Sequence, residues 1–266
     1  MDFLLECIGF PPDLGEDDVA ELVRTRGEAA AWRGAGEDHR VLALGQGLHG
    51  QSLVVRADRD GPGGQWSLTP ELRGTRPRRL AVTSIVRPQD QPFDALLTGW
   101  AHPPPPGEDP EGPPGAYRLS AWVSDARRIG RRLLPGHVLA VEAAGFALHV
   151  ERIVAGDAAF AASVLERPSG AYVRPLGAPD DPGGGCDVSL RIQSVRRLVN
   201  AVTDEVVVVA LCDAPDRPIP LLLSPWQLDR DGHERPRPGL RVEGTFLFTG
   251  RIAGGLKRGT TGDRFG

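Results

Sequence analysis

Leu240-Arg241-Val242-Glu243-Gly244-Thr245-Phe246-Leu247-Phe248-Thr249-Gly250-Arg251-Ile252 is the most regular stretch of the chain. Its even positions are apolar or glycine, and its odd positions are charged or hydroxylated apart from Leu247. A period of two held over thirteen residues predicts a long strand with Phe246 and Phe248 inward and the odd face wet. Gly244 and Gly250 on the inward face admit the bending that a closed sheet requires.

Working back from that strand, the preceding segments also read as β. Val188, Leu190 and Ile192 alternate with Ser189, Arg191 and Gln193, and the phase blurs at Ser194-Val195 as at a bulge. Residues 206–211 are apolar on both faces, and 221–223 form a shorter run. Four or five curved strands within about seventy residues suit a small barrel of the OB type, or a sandwich.

The N-terminal part is more mixed. Residues 2–9 read as a short strand, and Asp18 with Glu21 as the capping box of a helix whose apolar face holds Val19, Leu22 and Val23. Strands are expected at 41–44, 53–55, 80–86, 95–100 and 119–123, then a paired couple at 138–141 and 146–150. Ser124-Asp125 and Asp157 are candidate helix caps, the second helix running to about residue 166. The expected class is therefore α+β and β-dominated. A larger N-terminal α+β region (1–166, with a Pro-rich loop at 102–115) precedes a linker (167–186), a C-terminal barrel-like domain (187–254) and a disordered tail (255–266). A faint internal echo relates Pro135-Gly136, Glu142 and Phe146 to Pro238-Gly239, Glu243 and Phe246.

At 266 residues the chain can bury an ordinary core, and it holds no apolar run long enough for a spanning helix. No secretory leader is legible at its start. Lys257 is the only lysine and Asn200 the only asparagine, the signature of a GC-rich bacterial genome. Cys7, Cys186 and Cys212 are too few and too widely spaced for a disulfide framework or zinc knuckle, so a reducing cytoplasm is expected. Cys7 and Cys212 sit in apolar runs and read as buried; Cys186, after three glycines, reads as more exposed.

Local motifs for chemistry are weak. Gly45-Gln46-Gly47-Leu48-His49-Gly50 has dinucleotide-loop spacing but is followed by a strand where a helix is needed, so a hairpin turn is the reading. Asp229-Arg230-Asp231-Gly232 and Asp58-Arg59-Asp60-Gly61 lack the closing acid of a calcium loop and read as turns. His149 and Glu151 share one strand face, where a solvated surface is the ordinary explanation for such a pair. No catalytic residue, metal ligand or cofactor is therefore assigned.

Charge is the remaining signal. Residues 1–38 carry ten acids and three bases, whereas 72–88 carry five arginines and no acid. Arg127, Arg128, Arg131 and Arg132 form a second basic knot. The candidate binding set is Arg73, Arg76, Arg78, Arg79, Arg191, Arg196, Arg197, Trp226, Arg241 and Arg251, for an anionic partner. These features favour a noncatalytic interaction module of a cytoplasmic bacterial assembly, with a protein partner or homo-oligomer and no membrane. The alternatives are a nucleic-acid binder using an OB-like barrel, and an enzyme whose groups converge from distant positions.

Overall fold

A computed structural model describes residues 2–29, 37–47, 50–60, 64–88, 94–105, 114–124, 134–155, 171–177 and 182–254. The chain is β-dominated, with two sheets and short helices. The smaller sheet orders four antiparallel strands as β1 (Glu28–Ala29), β2 (Glu37–Gln46), β3 (Ser52–Asp60) and β4 (Trp66–Arg73). Helix α2 (Glu16–Arg26) covers it, burying Val19, Ala20 and Val23. Its box closes differently from the expectation: the Asp18 carboxylate accepts from the Gly15 N–H at 3.3 Å, and Glu21 pairs instead with Arg24 one turn on.

The expected strand at 2–9 is a helical turn, α1 (Asp2–Glu6). A short apolar run carries no periodicity to separate the two conformations, so packing decides. Leu4, Leu5, Cys7, Ile8 and Phe10 are all buried, and local bonds such as Ile8 N–H to the Leu5 carbonyl satisfy the backbone.

The larger sheet holds β5 (Arg78–Val86), β6 (Ala95–Ala101), β7 (Tyr117–Val123), β8 (Val138–Ala155), β9 (Tyr172–Gly177), β10 (Pro182–Val199), β11 (Val206–Asp213), β12 (Ile219–Leu223) and β13 (Leu240–Ile252). Helix α3 (Pro225–Arg230) lies between the last two strands. The strand order is β11-β12-β8-β5-β6-β7-β13-β10-β9, with further pairings of β11 to β10 and β8 to β13. β9 and the start of β10 fall in the stretch expected as linker. The couple expected at 138–141 and 146–150 is one continuous strand. Gly145 between them is a point of close approach, where an added Cβ would lie 2.6 Å from Leu221 and 2.9 Å from the Phe248 ring.

The pairings divide nine strands into two four-strand units plus β9. In β5–β8 and again in β10–β13, the first three strands are antiparallel neighbours and the fourth pairs back onto the first. In each unit the third strand runs parallel to the fourth strand of the other: β7 with β13, and β12 with β8. The same bulge occurs in both, between Val82 and Ser84 and between Ile192 and Ser194. Leu80-Ala81-Val82-Thr83-Ser84-Ile85 thus matches Leu190-Arg191-Ile192-Gln193-Ser194-Val195. The register also sets Leu80 beside Leu139 and Leu190 beside Val242, which aligns Pro135-Gly136 with Pro238-Gly239. The Pro-Gly part of the internal echo therefore has a structural counterpart, whereas this register sets Glu142 and Phe146 against Thr245 and Thr249 and not against Glu243 and Phe246.

β8 and β13 lie antiparallel at the centre. Phe146, Phe246 and Phe248 are fully buried, so the two rings point inward as their positions predict. The odd face of β13 is drier than expected, because Arg241, Glu243 and Thr249 are buried as well. Thr249 donates to the Pro70 carbonyl of β4 at 2.6 Å, so the small sheet covers part of that face. Glu142 near the start of β8 pairs with Arg251 near the end of β13, and Glu243 pairs likewise with Arg152.

Among the described residues, no helix is long and apolar enough to cross a membrane. Residues 106–113 of the Pro-rich loop, the helices expected after Ser124 and Asp157, the basic knot at 127–132 and the tail 255–266 lie outside the described residues.

Candidate partner-binding groove

Most buried charge is spent inside the fold. Arg56 of β3 donates to the Ser124 carbonyl at 3.0 Å and to Asp94 at 2.6 Å, and its Nε lies 3.0 Å from Asp58. Glu71 stands beside it, bonded to Arg73, and Asp58 also holds His39 Nδ1 at 2.7 Å. Burial works against the Arg56 charge, but Asp94, Asp58 and Glu71 together outweigh it and hold its pKa above the ordinary value. Asp94 has its pKa raised, since burial exceeds the help it receives from Arg56. These groups bind the small sheet to β7 and the approach to β6. They touch one another, and Arg56, Asp58, Glu71 and Asp94 are all buried.

A second ionic knot joins the two units. Arg78 of β5 donates to Tyr117 and, at 2.9 Å, to Asp216 of the β11–β12 connection. Burial pushes the Tyr117 hydroxyl up, leaving it a firm donor to Asp216. A third knot places Arg241 on Ser189 at 3.0 Å, with the Ser189 hydroxyl donating to Glu243 at 2.9 Å.

The candidate arginines consequently divide. Arg78 and Arg241 are interior, Arg73 and Arg251 are half-buried partners of Glu71 and Glu142, and Arg79 reaches the Pro103 carbonyl. Arg196 is half-buried on Gln51 and Trp226 half-buried on α3, while Arg76, Arg191 and Arg197 are exposed. The structure does not gather these residues onto one face. Among them, Arg197 lines a concavity.

That concavity is an open groove of about 360 Å³ lined by Val195, Arg197, Val206, Val208, Pro225, Arg235 and Pro236. Its floor is the outer face of the β10–β11 pair, where Arg197 lies opposite Val208 and Val199 opposite Val206. Strand alternation after the Ile192–Ser194 bulge turns Val195, Arg197 and Val199 to this side. One wall is Pro225, at the start of α3. It is fixed by Ser224, whose hydroxyl accepts from the Gln227 N–H at 3.0 Å and donates to Glu6 at 2.7 Å. The other wall is the turn after α3, where Arg235 pairs with Asp229 at 2.6 Å. Val206 remains 41 % exposed and Val199 52 % exposed, unusual for valines in a sheet.

Sequence reading found Arg197 but missed the six other lining residues. A run of four valines at 206–209 signals burial on both faces, and nothing local shows that one face lacks a covering element.

Of the tetrapeptides expected as turns, Asp58 lies buried within β3 and Asp229-Arg230 close α3, with the turn following at Asp231-Gly232. Gly45-Gln46 ends β2 and Ser52 opens β3, a hairpin rather than a strand-to-helix loop. His149 and Glu151 are both exposed on β8. Among the described residues, no group of three or more His, Cys, Asp or Glu side chains is arranged to hold a metal ion. All three cysteines are free and buried, so Cys186 departs from the exposure expected of it. The strand pairing of 185–191 with β13 covers it, and its thiol meets the Ser120 carbonyl. Burial pushes Cys7 and Cys186 up to about 12 and raises Cys212 too, the opposite of an activated nucleophile.

No protein-family model matches the chain, and no curated protein or solved structure matches it either.

Proposed function

We propose that the protein is a noncatalytic interaction module in which the units β5–β8 and β10–β13 are two OB-like barrels exchanging their long fourth strands. The pairing order supports this reading. In each unit the first, second and third strands continue through the other unit's fourth strand and their own fourth strand back to the first, the circuit of an OB-type sheet. The groove on β10–β11 is the observation that carries the interaction role. It is concave, exposes valines that a monomer gains nothing by leaving wet, and contains no pair of groups suited to proton transfer. Buried reduced thiols fit a reducing compartment such as a bacterial cytoplasm.

A nucleic-acid partner is the second reading, favoured by Arg191 and Arg197 exposed on the same strand of an OB-like unit. Against it, Arg235 and Arg237 are paired with Asp229 and Glu234, and no aromatic ring lines the groove.

The test is a photo-crosslinking amino acid placed at Val206 in the native cell, with one at the exposed Thr83 as control. The proposal expects one reproducible macromolecular partner at Val206 that is absent at Thr83. Capture at neither position, or equal capture at both, would overturn it.

A further inference from the structure

Resting on the interaction reading, we infer that the β10–β11 groove takes an extended segment of a partner protein in which an acidic side chain is flanked by apolar ones. The acid meets Arg197, and its neighbours cover Val195 and Val206.

The argument is one of complementarity on both counts. Arg197 is exposed on the floor and makes no ion pair among the described residues, whereas Arg235 at the wall already holds Asp229. The residues beside Arg197 on its own strand face are Val195 and Val199, and its cross-strand neighbour is Val208. A purely apolar occupant would cover the valines but strip water from a guanidinium with no counter-charge, which costs more than the valines return. A purely charged occupant would satisfy Arg197 and leave the valines and prolines wet. Only a segment carrying both satisfies the floor, and a carboxylate is the group a guanidinium binds in a two-point fork.

The same floor disfavours a single-stranded nucleic acid. Such partners draw much of their affinity from bases stacked on aromatic faces, and this lining is aliphatic, with Trp226 half-buried on the neighbouring helix and outside it. Because the floor is a sheet face and not an edge, the occupant is read through its side chains.

Panning a phage display of random linear peptides against the full-length protein tests this directly, with labelled oligothymidylate as a parallel probe. Enriched peptides are expected to share one or two acids between apolar residues and to weaken with rising salt. Arg197→Glu is expected to weaken them at least about tenfold and Val206→Asp comparably, while Arg197→Lys retains part of the affinity. Both positions are exposed, and an unchanged circular dichroism spectrum and Tm confirms the fold of each variant. A basic or purely polar consensus, an acidic consensus indifferent to Arg197→Glu, or no enrichment at all overturns the inference. Oligothymidylate binding that Arg197→Glu abolishes would overturn it in favour of the nucleic-acid reading. If peptides fail while Val206 crosslinking in cells still captures one partner, the interaction reading stands and only the choice of occupant falls. If both fail, both fall.

Discussion

Arg56 keeps its charge at 3 % exposure because three carboxylates surround it, and that arrangement sets how the protein responds to acid. Asp94 is the member whose pKa is raised, so the folded state holds its proton more tightly than the unfolded chain. The sign follows from linkage: between the raised folded value and the ordinary 3.8, this group's contribution to stability grows as pH falls. The stability of the wild type relative to Asp94→Asn should therefore rise on acidification from neutrality toward that value. Urea unfolding at several pH values checks this, and a relative stability that falls refutes it. At the same scale, the three thiols should resist a thiol-disulfide reagent at neutral pH and react fully in guanidinium. Burial both blocks access and, for Cys7 and Cys186, pushes the thiol up to about 12, where thiolate is scarce at neutral pH. Rapid native labelling of even one would contradict the placement. The burial of Cys7 and Cys212 was legible from their apolar runs, but the ionic cluster was not. Asp58 looks like a turn residue in sequence, and only the folded partners show it and Asp94 buried.

Among the elements, β8 and β13 decide the rest. They approach closely where they cross: an added Cβ at Gly250 would stand 1.9 Å from the Glu142 carbonyl, and one at Gly244 would stand 2.2 Å from that of His149. Gly250→Ala should therefore cost about 3 kcal/mol, since the obstruction is backbone and cannot rotate away. Chemical denaturation would read this as a lowered midpoint, and a change under about 0.5 kcal/mol would mean the strands can separate there. The strand itself was readable from thirteen alternating residues, as were the inward phenylalanines and the bulge at Ser194. Its second face was not. Charged and hydroxylated side chains predict water, but Arg241, Glu243 and Thr249 are buried because each finds a partner across the sheets or strands. The length of β8 was hidden for a related reason. Residues 142–145 lack alternation because both faces of the strand are covered there.

For the whole molecule, the N-terminal residues act as a clasp. Cys7 reaches the Ala147 carbonyl, Asn200 donates to the Ile8 carbonyl, Thr203 donates to that of Gly9, and Glu6 holds the cap of α3. Removing residues 2–10 exposes the sites of five buried apolar side chains, which at about 1.5–3 kcal/mol each should lower Tm by roughly 10 °C or more. Calorimetry of the truncated chain checks this, and an unchanged Tm would show the segment to be dispensable. It would also perturb the groove, because Pro225 follows the Ser224 that Glu6 holds. By itself, the sequence determined that the chain is β-rich, where most strands lie, which phenylalanines face inward and that its thiols are unpaired. These follow from alternation and residue chemistry, which are local. Tertiary structure alone decided that the two halves repeat one pairing pattern and pair through their fourth strands, and that Arg197 among the candidate arginines stands in an open apolar groove. Strand partners and solvent exposure are set by residues a hundred positions apart, and no local pattern encodes them.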